Sequence, residues 1–101
     1  MKNFADLMGK AKEAQERLKK MQETVAKTEV EGASGGGMVK ILMNCKGEIK
    51  KIDIDDSLMA RAEKTVLEDL LIAAFNDARR KSEDVYAREL DDIKGSMHLP
   101  F

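Results

Sequence analysis

The chain has no tryptophan, and only one proline (Pro100), one histidine (His98) and one cysteine (Cys45) among its 101 residues. Each scarcity removes a class of function. A lone cysteine forms no intrachain disulfide, and a reducing cytosol fits that usage. A single histidine in the last few residues gives a Ser-His-Asp or Cys-His arrangement little to work with, and metal-ligand spacing is absent. Four aromatic side chains (Phe4, Phe75, Tyr86, Phe101) are too few for the base-stacking platforms of single-strand binders. No run is apolar enough to span a bilayer, and Met1-Lys2-Asn3-Phe4-Ala5-Asp6 lacks the apolar core of a signal segment. Net charge is equally scarce: 18 basic against 19 acidic residues leave −1, so no overall field draws the protein to nucleic acid or membrane. Polyanion binding therefore requires locally segregated charge.

What the chain has in plenty is charge itself, 37% of residues, beside 43% hydrophobic. That balance suits long solvated helices. The length fits one domain, 1–101, and buries only a modest fraction of its surface, which makes a subunit interface a plausible extra source of stability.

A seven-residue rhythm runs from Phe4 to Thr28. Phe4, Ala11, Leu18 and Val25 fall on one line, and Leu7, Ala14, Met21 and Thr28 on the next, the spacing of a helix that lies on another helix. Asn3 caps it, with Asp6 three residues on. The helix (1–28, ordered to about Lys27) is roughly 39 Å long at ~1.5 Å per residue. One chain of this size is not expected to cover such a seam, which points to an obligate, elongated dimer.

Residues 29–55 read as a small sheet. Glu29-Val30-Glu31 is extended, and Gly32 to Gly37 is a breaker too glycine-dense for helix or central strand. Met38–Cys45 alternates as a strand, Lys46-Gly47 is a tight hairpin loop, and Glu48–Ile54 returns. The alternation slips at Lys50-Lys51, which predicts a bulge. Asp55-Asp56-Ser57 caps a short helix to about Ala62, and the box Thr65-Val66-Leu67-Glu68 starts a long one to about Lys94 within a helical part spanning 57–94. Between Leu67 and Ala78 that helix is apolar almost all round and is expected at the centre of the molecule. The expected core or dimer residues are Leu18, Met21, Val25, Leu67, Leu70, Leu71, Ala74, Phe75 and Ala78. Residues 95–101 read as a mobile tail.

Several chemistries can be weighed against plainer readings. The glycine run is out of order for a phosphate loop, which follows a strand and opens a helix. Asp53, Asp55 and Asp56 are better explained by a helix cap than by a divalent ion, and Cys45 as a packed residue. No nucleophile, base and orienting group can be assembled, so catalysis, a small-molecule substrate and a cofactor are not expected. The cationic positions remain. Lys10 and Arg17 lie one heptad apart on one side of the apolar stripe, Lys12 and Lys19 on the other, with Lys20 and Lys27 further round. Arg79, Arg80 and Lys81 follow on the long helix. Each group reads either as a solvated face with intrahelical ion pairs or as a nucleic-acid contact. A symmetric dimer would double each row on α-helix one and could line a positive cleft.

Taken together, these features resemble the YbaB/EbfC family of bacterial nucleoid-associated proteins. The most specific stretch is Leu67-Glu68-Asp69-Leu70-Leu71-Ile72-Ala73-Ala74-Phe75-Asn76-Asp77-Ala78, whose Glu-Asp-Leu and Ala-Ala-Phe-Asn-Asp-Ala elements are similar to the family's signature. Gly32 to Val39 resembles its glycine-rich turn, and Lys46-Gly47-Glu48 and Ile52-Asp53-Ile54-Asp55 its hairpin and exit. Asp56 stands where the family often has proline, and the tail Met97-His98-Leu99-Pro100-Phe101 is shorter than usual. The resemblance implies an α+β fold: an α-β-β-β-α subunit with long N- and C-terminal helices and a small antiparallel sheet, in a tweezer-like homodimer. It implies a cytoplasmic, nucleoid-associated protein that binds double-stranded DNA without catalysis. It does not fix which side chains touch DNA. The rival reading is a dimeric protein-interaction adaptor, which the near-neutral charge and exposed heptads suit equally.

Overall fold

The computed structural model describes residues 3–61 and 63–97, Arg61 by its backbone alone. The element order is α1 (Phe4–Lys27), β1 (Glu29–Ser34), a single tight helical turn (Gly35–Gly37), β2 (Val39–Asn44), β3 (Ile49–Ile54), α2 (Asp56–Arg61) and α3 (Lys64–Met97). The strands form one antiparallel sheet in chain order. The architecture is α+β as the sequence implied, and the molecule is a rod of 68 × 20 × 16 Å.

The α1 cap is the expected one: Asn3 Oδ1 accepts the Asp6 N–H at 2.9 Å. The seam along α1 has two fates. Met21 and Val25 are buried with Cys45 against Val30 and against Val85, Leu90 and Ile93 of α3. The chain thus covers this end of the seam with its own antiparallel helix, and the expectation that it could not is corrected here. The other end stays open: Phe4 is 71% exposed, and Leu7, Met8 and Leu18 are exposed as well. Leu18 is therefore not part of the core of the single chain.

The first strand is longer than the sequence suggested. It continues through Gly32 to Ser34, and only Gly35–Gly37 break it. Gly32 is a strand residue because α3 lies directly on it: a β carbon there would stand 2.2 Å from Ala74 O and 2.4 Å from Ala78 N. The three glycines that follow all have positive φ, which is where their missing side chain counts. On β2, Val39, Ile41 and Met43 turn toward α3 and pack with Ala74, Ala78 and Leu58, flanked by Leu67, Leu70, Leu71 and Phe75. The bulge falls where the alternation slips. Leu42 pairs with Lys51 but Met43 with Ile49, so Lys50 is the extra residue.

The last segment is capped where expected and differs chiefly at its C-terminal end. The cap of α2 is Asp55, whose Oδ1 accepts from Ser57 N (2.9 Å) and Oγ (2.6 Å). That pair of bonds holds the Asp55 carboxyl below the usual carboxylate range. Helix α3 begins at Lys64, one residue before the Thr65 box, and runs through Gly95 and Ser96 to Met97. The part of the expected tail at 95–97 is thus helical, and 98–101 lie outside the described residues. The apolar stretch of α3 is buried along one face only. Ala74 and Ala78 are sealed, Leu67, Leu70, Leu71 and Phe75 are half-buried, and Ile72 is 59% exposed. The single chain has too few layers to surround this helix.

Candidate nucleic-acid interface

The cationic residues fall into three settings. In the first, on α3, each member of the Arg79-Arg80-Lys81 run is paired with acid. Arg79 meets Glu83 at 3.4 Å, Arg80 meets Asp77 at 2.9 Å, and Lys81 meets Asp77 at 3.2 Å. Lys81 Nζ also donates to Glu31 O at 2.9 Å. Three of these contacts lie within α3 and the Lys81–Glu31 bond fastens it to β1, so the structural reading of the run accounts for its contacts.

The second setting is the flank of α1 that carries Lys10, Arg17 and Lys20. Arg17 bonds Glu13 at 3.1 Å and also donates to Ser96 Oγ near the end of α3. Arg17 and Lys20 line a groove of about 360 Å³ together with Glu89 and Asp92. Cation faces anion here, and the local potential largely cancels.

The third setting is the opposite flank, with Lys12 and Lys19. Lys19 lines a groove of about 630 Å³ bounded by α1, α3 and the β2–β3 hairpin. The hairpin contributes Lys46, a cation that helical spacing could not nominate because it sits in a turn. The signal available in the sequence was the Lys-Gly loop itself, which puts its first residue at an exposed tip. Lys27, at the last turn of α1, is exposed.

The hairpin is held by the buried Asn44. Its Oδ1 accepts from Lys46 N (3.1 Å) and Glu48 N (2.9 Å), and its Nδ2 donates to Glu48 Oε1 (2.8 Å) and Ala26 O (3.1 Å). The bond from Asn44, with help from Lys50 and more weakly from Lys46, keeps the Glu48 carboxyl below its ordinary value. Cys45 N bonds Val25 O at 3.1 Å and Thr28 O at 2.9 Å, which ties the hairpin to the end of α1. Burial pushes the Cys45 thiol up, against a weaker pull from Arg88, so it rests as a packed thiol and not as a thiolate.

The glycine turn joins two strands and opens no α-helix, so it has no helix N-terminus behind it for phosphate. Among the described residues no group of acidic, histidine or cysteine side chains is placed to hold a metal ion. Nor is any helix among them long and apolar enough to cross a membrane.

A three-stranded antiparallel sheet with two long antiparallel helices, one extended past the other as a cation-bearing arm, places the chain in a class of small, elongated α+β proteins. The chain belongs to the YbaB/EbfC DNA-binding family, whose profile matches residues 1–97. It is also similar to the crystal structure of an uncharacterized protein from Helicobacter pylori, with 27% identity and a TM-score of 0.80 over 92% of this chain and 98% of that one.

Proposed function

We propose that the protein is a non-enzymatic, nucleoid-associated DNA-binding protein of the bacterial cytoplasm that grips duplex DNA as a homodimer and organises the nucleoid or modulates transcription. The observation that carries this reading is the arm of α1, in a chain that belongs to a DNA-binding family. Arg17 is level with Ser96, so residues 4–16 extend some 20 Å beyond that point at ~1.5 Å per residue. The arm carries Lys10 and Lys12 in solvent. Phosphate neutralisation with counterion release would supply most of the affinity, and few aromatics favour shape over base readout.

The dimer reading rests on the two edges of the sheet. The β1 edge is occupied by α3 side chains: Asp77 takes the Ala33 N–H and Lys81 the Glu31 carbonyl. The β3 edge has no such cover among the described residues. Ile49 and Ile52, paired with Met43 and Ile41, share the face that α3 packs on, yet both are about half exposed. At ~100° per residue, Ile72 and Phe75 lie on the flank of α3 opposite Asp77, toward β3. An open edge beside an uncovered apolar flank is a liability for a lone chain. A second copy related by a two-fold axis would cover both and project two arms from one sheet layer.

The test is a duplex-binding titration against salt, with mass measured in parallel. The expected result is a dimer whose log affinity falls linearly with log salt, by ~0.9 per neutralised phosphate. A folded protein that does not bind duplex at low salt overturns the reading.

The adaptor reading draws on a different observation, the exposed line Phe4, Leu7, Met8 and Leu18 on the arm, which a partner helix could cover. A Lys12/Lys19/Lys20 to Glu variant separates the two. It abolishes duplex binding on the DNA reading and leaves partner binding intact on the adaptor reading.

A further inference from the structure

The two grooves that flank α1 differ in charge balance. The groove beside Arg17 and Lys20 is matched by Glu89 and Asp92. The groove beside Lys19 contains Lys46 on its other wall and Glu23 as the one carboxylate in its lining, over a floor of Val25, Ala26 and Cys45. Among the described residues neither Lys19 nor Lys46 forms an ion pair. Lys12 precedes Lys19 by two helical turns on the same line, ~10.5 Å further out along the arm. Three cations thus run in series from the arm, past Lys19, to the hairpin.

We propose that the groove between α1 and the β2–β3 hairpin seats a stretch of DNA phosphate backbone, with Lys19 and Lys46 contacting it from opposite walls and Lys12 extending the track. This deepens the DNA-binding reading above and rests on it. The walls are set before any ligand arrives. Asn44 bonds Ala26 O on α1 and Lys46 N in the hairpin, so one buried amide fixes the two walls relative to each other. Ordering cost on binding then falls mainly on the side chains of Lys12, Lys19 and Lys46. Tyr86, partly exposed in the same groove, adds a phenol able to donate to a phosphate oxygen. The acid-tied run on α3 makes no part of the seat.

The experiment is fluorescence anisotropy on a short duplex across a salt series, for the full chain and for Lys19→Gln, Lys46→Gln, Lys46→Arg and Arg80→Gln. Lys46 and Lys19 are exposed, so thermal melts should match the parent and confirm that each variant is folded. Lys19→Gln and Lys46→Gln should each weaken binding roughly tenfold at about 0.1 M salt for every contact removed. Each should also flatten the salt slope by ~0.9 per contact. Lys46→Arg should retain both, and Arg80→Gln should leave the slope unchanged. If the parent binds duplex while Lys19→Gln and Lys46→Gln keep its affinity and slope, the groove is not the seat and DNA binding stands through other residues. If those variants lose affinity for polyglutamate and not for duplex, the groove takes an acidic polypeptide and the proposal fails. If the parent binds no duplex, both this inference and the DNA-binding reading fail.

Discussion

Asp77 Oδ2 accepts the backbone N–H of Ala33 at 3.0 Å, a bond that joins the middle of α3 to the outer edge of β1. Lys81 completes a clamp, pairing with Asp77 at 3.2 Å and donating to Glu31 O at 2.9 Å. Two outward-pointing backbone groups of an edge strand are thus satisfied by one turn of helix. The same contacts explain why the sheet is asymmetric, closed at β1 and open at β3.

The Asp77 carboxyl is held below its ordinary value, first by the Ala33 N–H and then by Lys81 and Arg80. A depressed carboxylate contributes stability that is full above its unfolded value, about 4, and that is lost as pH falls through the folded one. Asp77→Asn should therefore lower the melting temperature at pH 7. The gap between parent and variant should close as pH drops below about 4, read by circular-dichroism melts across that range.

Gly32→Ala should be among the most damaging single-methyl additions in the chain. The new β carbon meets Ala74 O and Ala78 N, backbone atoms that cannot swing aside. A loss of about 1–3 kcal/mol or more is expected from overpacking, measured by urea unfolding. Gly9→Ala, where nothing lies within 4 Å, should be neutral or mildly stabilising, because alanine is the better helix former.

Asn44→Ala removes the partners of Lys46 N and Glu48 N and breaks the link to Ala26 O. Leaving buried groups unpaired costs about 1–3 kcal/mol each, so a fall of about 2 kcal/mol or more in unfolding free energy is expected. Amide hydrogen exchange should speed up first in the hairpin.

Ile52→Lys places a charge on the open flank beside β3 without disturbing the sealed side chains of Ile41 and Val39. On the proposed dimer, sedimentation equilibrium should show a two-subunit parent and a lone, helical subunit for the variant. Ile72→Lys should act in the same direction. Dimers that survive both substitutions would place the subunit contact elsewhere.

Much of the fold was legible because the relevant signals are local. Asn3 caps α1 through its own side chain, and Lys50 declares the bulge by breaking a period of two. The twelve-residue signature around Ala74 and Ala78 falls where α3 meets the sheet. The reach of β1 was hidden, since a glycine-rich strand looks like a loop until a helix is seen lying on Gly32. The fate of the cations was hidden for a similar reason. Lys12 and Lys19 occupy the same kind of helical position as Lys10 and Arg17, and Arg79-Arg80-Lys81 is the densest basic run in the chain. Only the placement of Asp77, Glu89, Asp92 and Lys46 in space separates Lys19 from Arg17 and from the run on α3.

The sequence by itself determined the elements and their faces, because backbone propensity, capping and hydrophobic period act over a few residues. It also determined that no strong net field exists, because charge is a sum that folding does not change. Tertiary structure alone decided that Met21 and Val25 are covered by the chain's own α3 while Phe4 and Leu7 are not. It alone decided that Arg17 and Lys20 share a groove with Glu89 and Asp92 while Lys19 shares one with Lys46. Both are matters of which surfaces meet across long sequence separations, and apolar burial and Coulomb attraction depend on distance in space and not on order along the chain.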